Sequence, residues 1–372
     1  MKKQLAYKKS IIKHLYFSGA LSSGELSERV GKSLPLVTRV LNGLIEEGSV
    51  IDTGLAPSTG GRRRSMYALK PDVMYVVSVA MDQFITRIAI IDMQNRPVGD
   101  IEKFDLSLEK NPGALSRLTE KIGQVIHSSG IPLEKIVGIG IGMPGFVDAL
   151  KGVNYSFLEI PDDSIIEYVG SKLHLPVFID NDSSLIALAE LRFGAARSKR
   201  SAMVINIGWG IGLGLILSGE LFRGNNGFAG EFSHLPLFSN NKLCSCGKSG
   251  CLETEASLRV VIDKVIEEVK KGETTMLSHL PMESVDQAAI EIITAARKGD
   301  RLAVRLLSEA GYNIGRGVAI LIHLLNPEVI VLSGRGSLAG KIWQAPIQQA
   351  LNEHCIPRLA SGSEIVLSAL GY

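Results

Sequence analysis

The sequence predicts a small winged helix-turn-helix domain followed by two α/β lobes. Three observations support this fold class. The first 70 residues have the order of helices and strands of a winged domain, apolar strand-like runs alternate with helices from Asp72 onward, and this alternation repeats in a second, similar half. A chain of 372 residues is also too long for one ordinary core. We therefore expect domains at 1–70, 71–187 and 188–372, and leave open a return of the C-terminal residues to the first lobe.

The first domain contains three predicted helices and a hairpin. The helices cover residues 10–17, 22–30 and 34–47, with Ser33 capping the third, and residues 50–52 pair with 66–69. The third helix has an apolar stripe on one face and small polar and basic side chains on the others. A short helix, a tight turn and a longer helix of this kind form a helix-turn-helix pattern, and the hairpin supplies the wing.

Charge is distributed unevenly along the chain. Residues 1–70 carry 12 Lys and Arg against 5 Asp and Glu, whereas the remaining residues carry 28 against 33. A basic end on an acidic body predicts that the first domain binds a polyanion, here double-stranded DNA. The predicted DNA-contacting residues are Ser33, Thr38, Arg39, Asn42, Arg62, Arg63 and Arg64. The alternative is a small helical bundle with a charged loop.

The residue types suggest a role for each of these contacts. Arg39 and Asn42 are expected to read base edges, and Thr38 to contact a phosphate. The three arginines end a glycine-rich wing and suit phosphates or a narrow minor groove.

A cysteine-rich run in the second lobe predicts a metal site. Three of the four cysteines follow a histidine within a short stretch, and the predicted ligands are His234, Cys244, Cys246 and Cys251. Three thiolates and one imidazole form a closed tetrahedral set typical of zinc, and they leave no position for water, so this zinc is expected to be structural. The alternatives are a short disulfide or free buried thiols. Cys244 and Cys246 are too close for an easy bridge, and nothing in the sequence indicates an oxidising compartment.

Two carboxylates, Glu231 and Glu253, flank this loop. Carboxylates accept hydrogen bonds from sugar hydroxyls, and a loop pinned by a metal loses little entropy on binding. The pair therefore predicts a site for a polyhydroxylated ligand, although each glutamate taken alone could equally be a solvated surface residue. Asn181 and Asp182 end another predicted strand, and ligands are expected at such strand ends in a cleft between the lobes.

No membrane segment is predicted. The sequence has no apolar run of 18 residues, and the apolar stretch after Met1 is too short for a signal peptide. We expect a cytoplasmic location, in line with reduced thiols.

Four motifs of the body are found together. They are Gly142-Met143-Pro144-Gly145, Ile179-Asp180-Asn181-Asp182, the run from Glu231 through Cys244-Ser245-Cys246-Gly247 to Gly250-Cys251-Leu252-Glu253, and Asn326-Pro327-Glu328 with the strand that ends at Gly334. In combination they resemble the ROK family of repressors, open reading frames and sugar kinases. The resemblance covers about residues 71–372 and implies an actin-like, ribonuclease-H-like ATPase fold. The helix-turn-helix matches the family's repressor branch.

The resemblance also implies which residues contact a sugar. They are Gly145, Asn181, Asp182, Glu231, His234 and Glu253, with the histidine both ligating zinc and facing the sugar. Family kinases use the aspartate at Asp182 as catalytic base and hold ATP phosphates with three glycine-rich loops. In this chain the first loop, residues 80–86, contains no glycine, and Trp209 and Arg335 occupy the other two. These side chains obstruct close approach of the backbone to phosphate, so Asp182 is expected to bind sugar without acting as a base, and no enzymatic activity is expected.

The expected function is that of a sugar-responsive transcriptional regulator, a repressor. It would bind a pseudo-palindromic operator as a homodimer or homotetramer. A sugar or sugar phosphate in the interlobe cleft would shift the spacing of the DNA-binding heads between two states. Two alternatives stay open: an active sugar kinase that also binds DNA, and a docking module that binds a transporter or metabolic protein.

Overall fold

The structure is a computed structural model that describes residues 2–56, 63–158, 164–281 and 284–371. Residue contacts divide the chain into two compact units, Met1–Asp180 and Asn181–Tyr372. The first unit contains both the N-terminal domain and the first α/β sheet, and the second contains the other α/β sheet. Among the described residues, none of the helices combines the length and the apolar character needed to span a bilayer.

The N-terminal domain has the three predicted helices and the predicted hairpin, together with a short strand before the second helix that was not predicted. Its elements are α1 (Lys2–Ser18), β1 (Leu21–Ser22), α2 (Ser23–Val30), α3 (Leu34–Glu46), β2 (Val50–Leu55) and β3 (Ser65–Leu69). The strands form an antiparallel sheet in the order β1-β3-β2. Helix α1 begins well before residue 10, because residues 2–9 are good helix formers that lack the apolar periodicity from which the helix was predicted.

Sequence signals at the helix ends explain this local structure. Ser22 and Glu25 form a reciprocal capping box at the start of α2, and Gly31 ends that helix in the left-handed conformation at φ 64°. Ser33 occupies the predicted N-cap position of α3. Its side chain makes no capping hydrogen bond to the described residues, so the predicted capping interaction is absent there. The apolar stripe of α3 is buried among residues of α1, α2 and the sheet.

The first α/β sheet follows in the same unit. Its strands are β4 (Tyr75–Met81), β5 (Ile85–Asp92), β6 (Glu102–Asp105), β7 (Ile136–Met143) and β10 (Val177–Asn181), with the small hairpin β8 (Val147–Asp148) and β9 (Val153–Asn154) and the helices α4 (Ala114–Ser128) and α5 (Ile165–Leu173). The strand order is β10-β7-β4-β5-β6. The turn after β5 contacts the N-terminal domain, since Asn95 Nδ2 donates to Tyr16 O at 2.7 Å and Gln94 Nε2 donates to Leu69 O at 2.7 Å.

The second unit contains the other sheet and most of the helices. Its strands are β11 (Ala202–Ile207), β12 (Ile211–Leu217), β13 (Glu220–Phe222), β14 (Val329–Ser333) and β15 (Glu364–Leu367), and its helices are α6 (Asp182–Phe193), α7 (Glu253–Ala256), α8 (Leu258–Lys270), α9 (Val285–Arg297), α10 (Arg301–Leu325), α11 (Lys341–His354) and α12 (Pro357–Ala360). The strand order is β13-β12-β11-β14-β15. The long helix α10 packs along α11, and its inner face is apolar and buried.

The two sheets have the same topology. Counted along the chain, each places its strands in the order third, second, first, fourth, fifth, with an antiparallel meander joined to parallel strands. This confirms the prediction of two similar α/β halves. The C-terminal strand β15 pairs in parallel with β14, so these residues extend the second sheet. A parallel neighbour at that edge satisfies the outer backbone groups of β14.

Candidate functional site

The four predicted metal ligands lie together in the second unit. Their ligand atoms are all within 4.8 Å of one another. Cys244 Sγ lies 3.5 Å from His234 Nδ1, and Cys246 Sγ lies 3.7 Å from Cys251 Sγ. Cys244 and Cys251 are buried, whereas His234 and Cys246 are half-buried. The cluster could hold one metal ion.

The donor chemistry of this cluster fits a thiophilic cation. Burial raises the pKa of the Cys251 thiol to about 12, because the neighbouring sulfurs and apolar surroundings disfavour another negative charge. A bound cation reverses that penalty, since thiolates are the form that coordinates metal. Four donors in one small space leave little room for an additional ligand.

Backbone hydrogen bonds shape the loop that carries the cysteines. A tight turn is closed by Cys244 N donating to Lys248 O at 2.7 Å and Gly247 N donating to Cys244 O at 2.9 Å. The loop is also anchored away from the metal ligands by Glu255, whose side chain is 9% exposed. Lys242 Nζ lies 2.5 Å from Glu255 Oε1, and Asn240 Nδ2 donates to the same oxygen at 2.7 Å. Burial would raise the pKa of Glu255, but Lys242, Asn240 and Lys264 together outweigh it and hold that pKa below its usual value.

The second nitrogen of His234 faces a carboxylate. His234 Nε2 lies 3.8 Å from Glu231 Oε2, so the ring connects the cysteine cluster through one nitrogen to Glu231 through the other. A carboxylate hydrogen-bonded to the outer nitrogen of a ligating histidine fixes the orientation of the ring, and Glu231 lies just outside that distance. Burial raises the pKa of Glu231, with a further rise from the charge of Glu253 and an opposing effect of His234. About 45% of the Glu231 side chain is nevertheless exposed, so a ligand can reach it.

Glu253 begins α7 and lies on the turn between β11 and β12. Its Oε2 accepts a hydrogen bond from Ile211 N at 3.3 Å. The carboxylate packs against Gly210, where an added Cβ would lie 2.7 Å from Glu253 Oε2. Glycine at 210 is therefore required for the carboxylate to lie this close to the backbone.

Asn181 and Asp182 lie where β10 leads into α6. Asn181 Oδ1 caps the helix by accepting from Ser183 N at 2.9 Å and Ser184 N at 3.1 Å. Asp182 Oδ1 accepts from Ser183 N at 2.7 Å, and its Oδ2 accepts from Asn206 Nδ2 at 3.3 Å. Sequence reasoning missed Asn206, although an amide within the apolar run Ala202–Ile207 is itself a signal.

Gly145 belongs to the first unit. It lies in the turn after β7 at φ 95°, where an added Cβ would lie 2.6 Å from Ser156 Cβ. Ser156 Oγ accepts a hydrogen bond from Phe146 N at 3.0 Å, and Asn154 Nδ2 donates to Pro144 O at 2.9 Å. The turn is thus held closely by the last residue of β9 and the segment that follows it.

Trp209 and Arg335 meet in the second unit. The Arg335 guanidinium carbon lies 4.2 Å from the centre of a Trp209 ring, and Arg335 Nη2 lies 2.6 Å from Asp286 Oδ1. Arg335 is 1% exposed and Trp209 is 6% exposed. The three side chains form a stack of aromatic ring, cation and carboxylate, in which the ring and the cation are buried and the Asp286 side chain is 14% exposed. Asp286 was not predicted, because it comes from α9, distant in sequence from both loops.

Four of the predicted DNA-contacting residues lie at the start of the N-terminal domain's third helix or on it, and the wing arginines lie before β3. Ser33, Arg39 and Asn42 are exposed and Thr38 is half-buried, on faces of α3 away from its buried stripe. Of the wing arginines, Arg63 and Arg64 are exposed, and Arg62 lies outside the described residues. Their contact with DNA stays a prediction.

The two sheets of identical strand order place the chain in the actin-like class of α/β proteins. Within that class the chain belongs to the ROK family, whose profile matches residues 101–370.

The chain is similar to regulators and to kinases of this family. The xylose repressor of Caldicellulosiruptor bescii is 28% identical in an alignment 358 residues long, which covers 92% of this chain and 86% of the relative. The crystal structure of a ROK family transcriptional regulator, a homolog of the E. coli MLC protein, is 26% identical with a TM-score of 0.77 and covers 98% of this chain and 92% of its own. A ROK family glucokinase from Streptomyces griseus, in complex with glucose and AMPPNP, is 26% identical with a TM-score of 0.65 and covers 80% of this chain and 95% of its own.

Proposed function

We propose that this protein is a sugar-responsive transcriptional repressor. Its N-terminal domain binds operator DNA, and its second unit binds a sugar or sugar phosphate. The observation that carries the proposal is the double role of His234, whose Nδ1 joins the cysteine cluster while its Nε2 faces Glu231. The carboxylates, which accept hydrogen bonds from hydroxyl groups, then lie beside a loop that a bound metal would hold in one conformation. Similarity to repressors over most of the chain supports the DNA-binding half of the proposal.

We propose zinc as the metal. A set of three cysteines and one histidine matches the ligands that zinc prefers in structural sites. When bound, zinc supplies a fixed tetrahedral anchor for the loop and no catalytic water. His234 then holds its ring at a constant angle toward Glu231, and both residues are ordered before the ligand arrives. We also propose a cytoplasmic location, because both the DNA target and the reduced thiols require it.

The ligand is bound through its hydroxyl groups. Glu253 and Glu231 offer carboxylate oxygens, and Asp182 offers another that Asn206 orients. Gly145 and Asn181 are proposed as further contacts from the family resemblance. Hydrogen bonds between hydroxyls and carboxylates are charge-assisted, so a few of them can give both affinity and selectivity. Ligand binding then favours one of two conformations of a dimer or tetramer and changes the spacing of its DNA-binding domains.

The stack of Trp209, Arg335 and Asp286 is the reason to propose a regulator over a kinase. Phosphoryl transfer depends on backbone donors and a metal that surround the phosphates. Here two buried side chains, Trp209 and Arg335, stand at positions where the family resemblance implies threonine and glycine in the kinases. Asp182 is left as a hydrogen-bond acceptor. A sugar kinase is the second candidate, favoured by the presence of Asp182 beside Asn206, and a coupled ATP assay with a panel of hexoses tests it.

The test of DNA binding begins with selection of duplexes from a random pool by the purified full-length protein. Replacing Arg39 by alanine is expected to weaken binding to the selected duplex by roughly 10–100-fold, the range of one lost base contact. The matched control is Arg301→Ala, an exposed arginine at the start of α10 in the other unit. Failure to enrich any duplex contradicts the proposal.

The ligand half of the proposal is tested on the selected duplex. Mono- and amino-sugars and their phosphates, D-xylose and D-glucose included, are added and the affinity for DNA is measured again. A sugar-dependent change in affinity that disappears in Glu253→Gln supports the proposed site. A pull-down partner that is insensitive to sugar, with no sugar effect on DNA, favours the docking module instead.

A further inference from the structure

In the stack of Trp209, Arg335 and Asp286, the arginine is held from two sides. Arg335 follows β14, and its guanidinium lies between Trp209 and the carboxylate of Asp286, at 4.2 Å and 2.6 Å. Asp286 lies in the first turn of α9, where a negative charge is also favoured by the helix dipole. An arginine that is 1% exposed and paired on two sides has one orientation available to it. The stack is therefore a rigid support for the Trp209 ring.

Trp209 is the central residue of a tight turn. Gly208 N donates to Gly210 O at 2.9 Å across the turn, and Gly208 O accepts from Leu258 N at 3.0 Å. The second hydrogen bond ties the turn to the first residue of α8. Because the ring is held by Arg335 and the backbone is held by Leu258, the turn has little freedom to move.

The same turn contacts the carboxylate of Glu253, which is proposed to bind the ligand. Glu253 packs on Gly210 and accepts a hydrogen bond from Ile211 N. A shift of the turn by 1 Å would either break this hydrogen bond or push the carboxylate out of place. A continuous series of contacts thus joins Asp286 on α9 to Glu253 at the proposed sugar site.

We propose that Asp286 and Arg335 are positioning residues for the ligand site. Their ion pair holds the Trp209 ring, and the turn beneath that ring places the Glu253 carboxylate for hydrogen bonding to a hydroxylated ligand. The inference rests on the proposed function only for the identity of the ligand. The support of Glu253 by the stack is a property of the protein alone and can be measured without any sugar.

The experiment uses the full-length protein with Trp343 replaced by phenylalanine. The chain has two tryptophans, so Trp209 then reports alone through its emission and its quenching by acrylamide. Amide hydrogen exchange of Ile211 reports on the hydrogen bond to Glu253. Asp286→Asn and Arg335→Met are expected to shift Trp209 emission to longer wavelength, increase quenching, and accelerate Ile211 exchange roughly tenfold, since a hydrogen bond to a charged group is lost.

The matched control is Asp263→Asn. Asp263 also pairs with an arginine of the second unit, Arg259 at 3.4 Å, but both are exposed on α8. This variant is expected to leave emission and Ile211 exchange unchanged, and Asp286→Glu is expected to restore most of the wild-type behaviour. Circular dichroism and metal content verify that each variant is folded and loaded. Wild-type emission and exchange in folded Asp286→Asn and Arg335→Met, or the same changes in Asp263→Asn, overturn the proposal.

A second variant keeps the proposal testable if these two fail to fold. Arg335→Lys keeps the charge and lacks the planar group that lies on the ring, so it is expected to give intermediate quenching and exchange. Wild-type values in this variant also overturn the proposal. D-xylose and D-glucose are then titrated into each variant. If the wild-type protein binds neither sugar while the variants still mobilise Trp209 and Ile211, the choice of ligand fails and the positioning role stands.

Discussion

Two glycines of the loop that carries the cysteines allow a sharp test of how this loop is held. Gly247 and Gly250 are both in the left-handed region, at φ 80° and 75°. An added Cβ at Gly247 would meet nothing within 4 Å. At Gly250 it would lie 2.0 Å from the backbone oxygen of Phe238. Replacing each by alanine therefore imposes the same backbone strain and differs only in the clash.

The magnitudes follow from this difference. Left-handed backbone costs a residue other than glycine about 1–2 kcal/mol, so Gly247→Ala is expected to lose that amount of stability and to keep its metal. In Gly250→Ala the carbonyl of Phe238 must also move by about 1 Å to reach the closest real contacts of such atoms. That movement breaks the hydrogen bond from Phe238 N to Gly250 O at 3.1 Å and displaces the neighbouring ligand Cys251. We expect metal affinity to fall by roughly 10–100-fold, as for loss of a residue that supports a ligand.

Thermal unfolding measures the stability of each variant, and competition with a chromophoric zinc chelator measures its affinity. A loss of about 1 kcal/mol corresponds to roughly 2–4 °C in a unit of this size. Equal zinc affinities in the two alanine variants would show that contact with Phe238 does not position Cys251. Zinc loss in Gly247→Ala would show instead that the left-handed turn alone controls the site.

Three further predictions concern the supports of the second unit. Cys246→Ser is expected to release the metal and lower the melting temperature, whereas Cys355→Ser, a buried thiol outside the cluster, is expected to retain the metal, as measured by elemental analysis. Glu255→Gln removes the partner of Lys242 and should increase protease cleavage of the loop without removing any ligand; unchanged cleavage argues against this anchor. Asp300 caps α10, and its burial, which would raise its pKa, is outweighed by hydrogen bonds that hold the pKa below the usual value. The Asp300 carboxylate stabilises the fold by about 1–2 kcal/mol. This stabilisation is complete above about pH 4 and is lost as the pH falls through the folded-state pKa. Asp300→Ala and wild type should therefore differ in their free energy of unfolding in urea at pH 7 and converge in more acidic buffer.

Much of the fold could be predicted because its signals are local. The end of α2 is encoded by Gly31, the turns after α1 and α3 by Gly19 and Gly48, and the buried strands by their apolar runs. The cluster of one histidine and three cysteines was predictable for the same reason, since three cysteines close in sequence cannot lie far apart in space. The N-terminal extension of α1 was missed because polar helix formers carry no periodic pattern.

The supports of the site could not be predicted, because they join residues that are distant along the chain. Asp286 reaches Arg335 from a different helix, and Asn206 reaches Asp182 from a neighbouring strand. No local pattern distinguishes these side chains from solvated ones. The sequence by itself thus determined which chemical groups the second unit has available, three thiols, an imidazole and several carboxylates. Only the tertiary structure decided which carboxylate each of them faces, because strand order and helix packing set the distances between residues that no short motif contains.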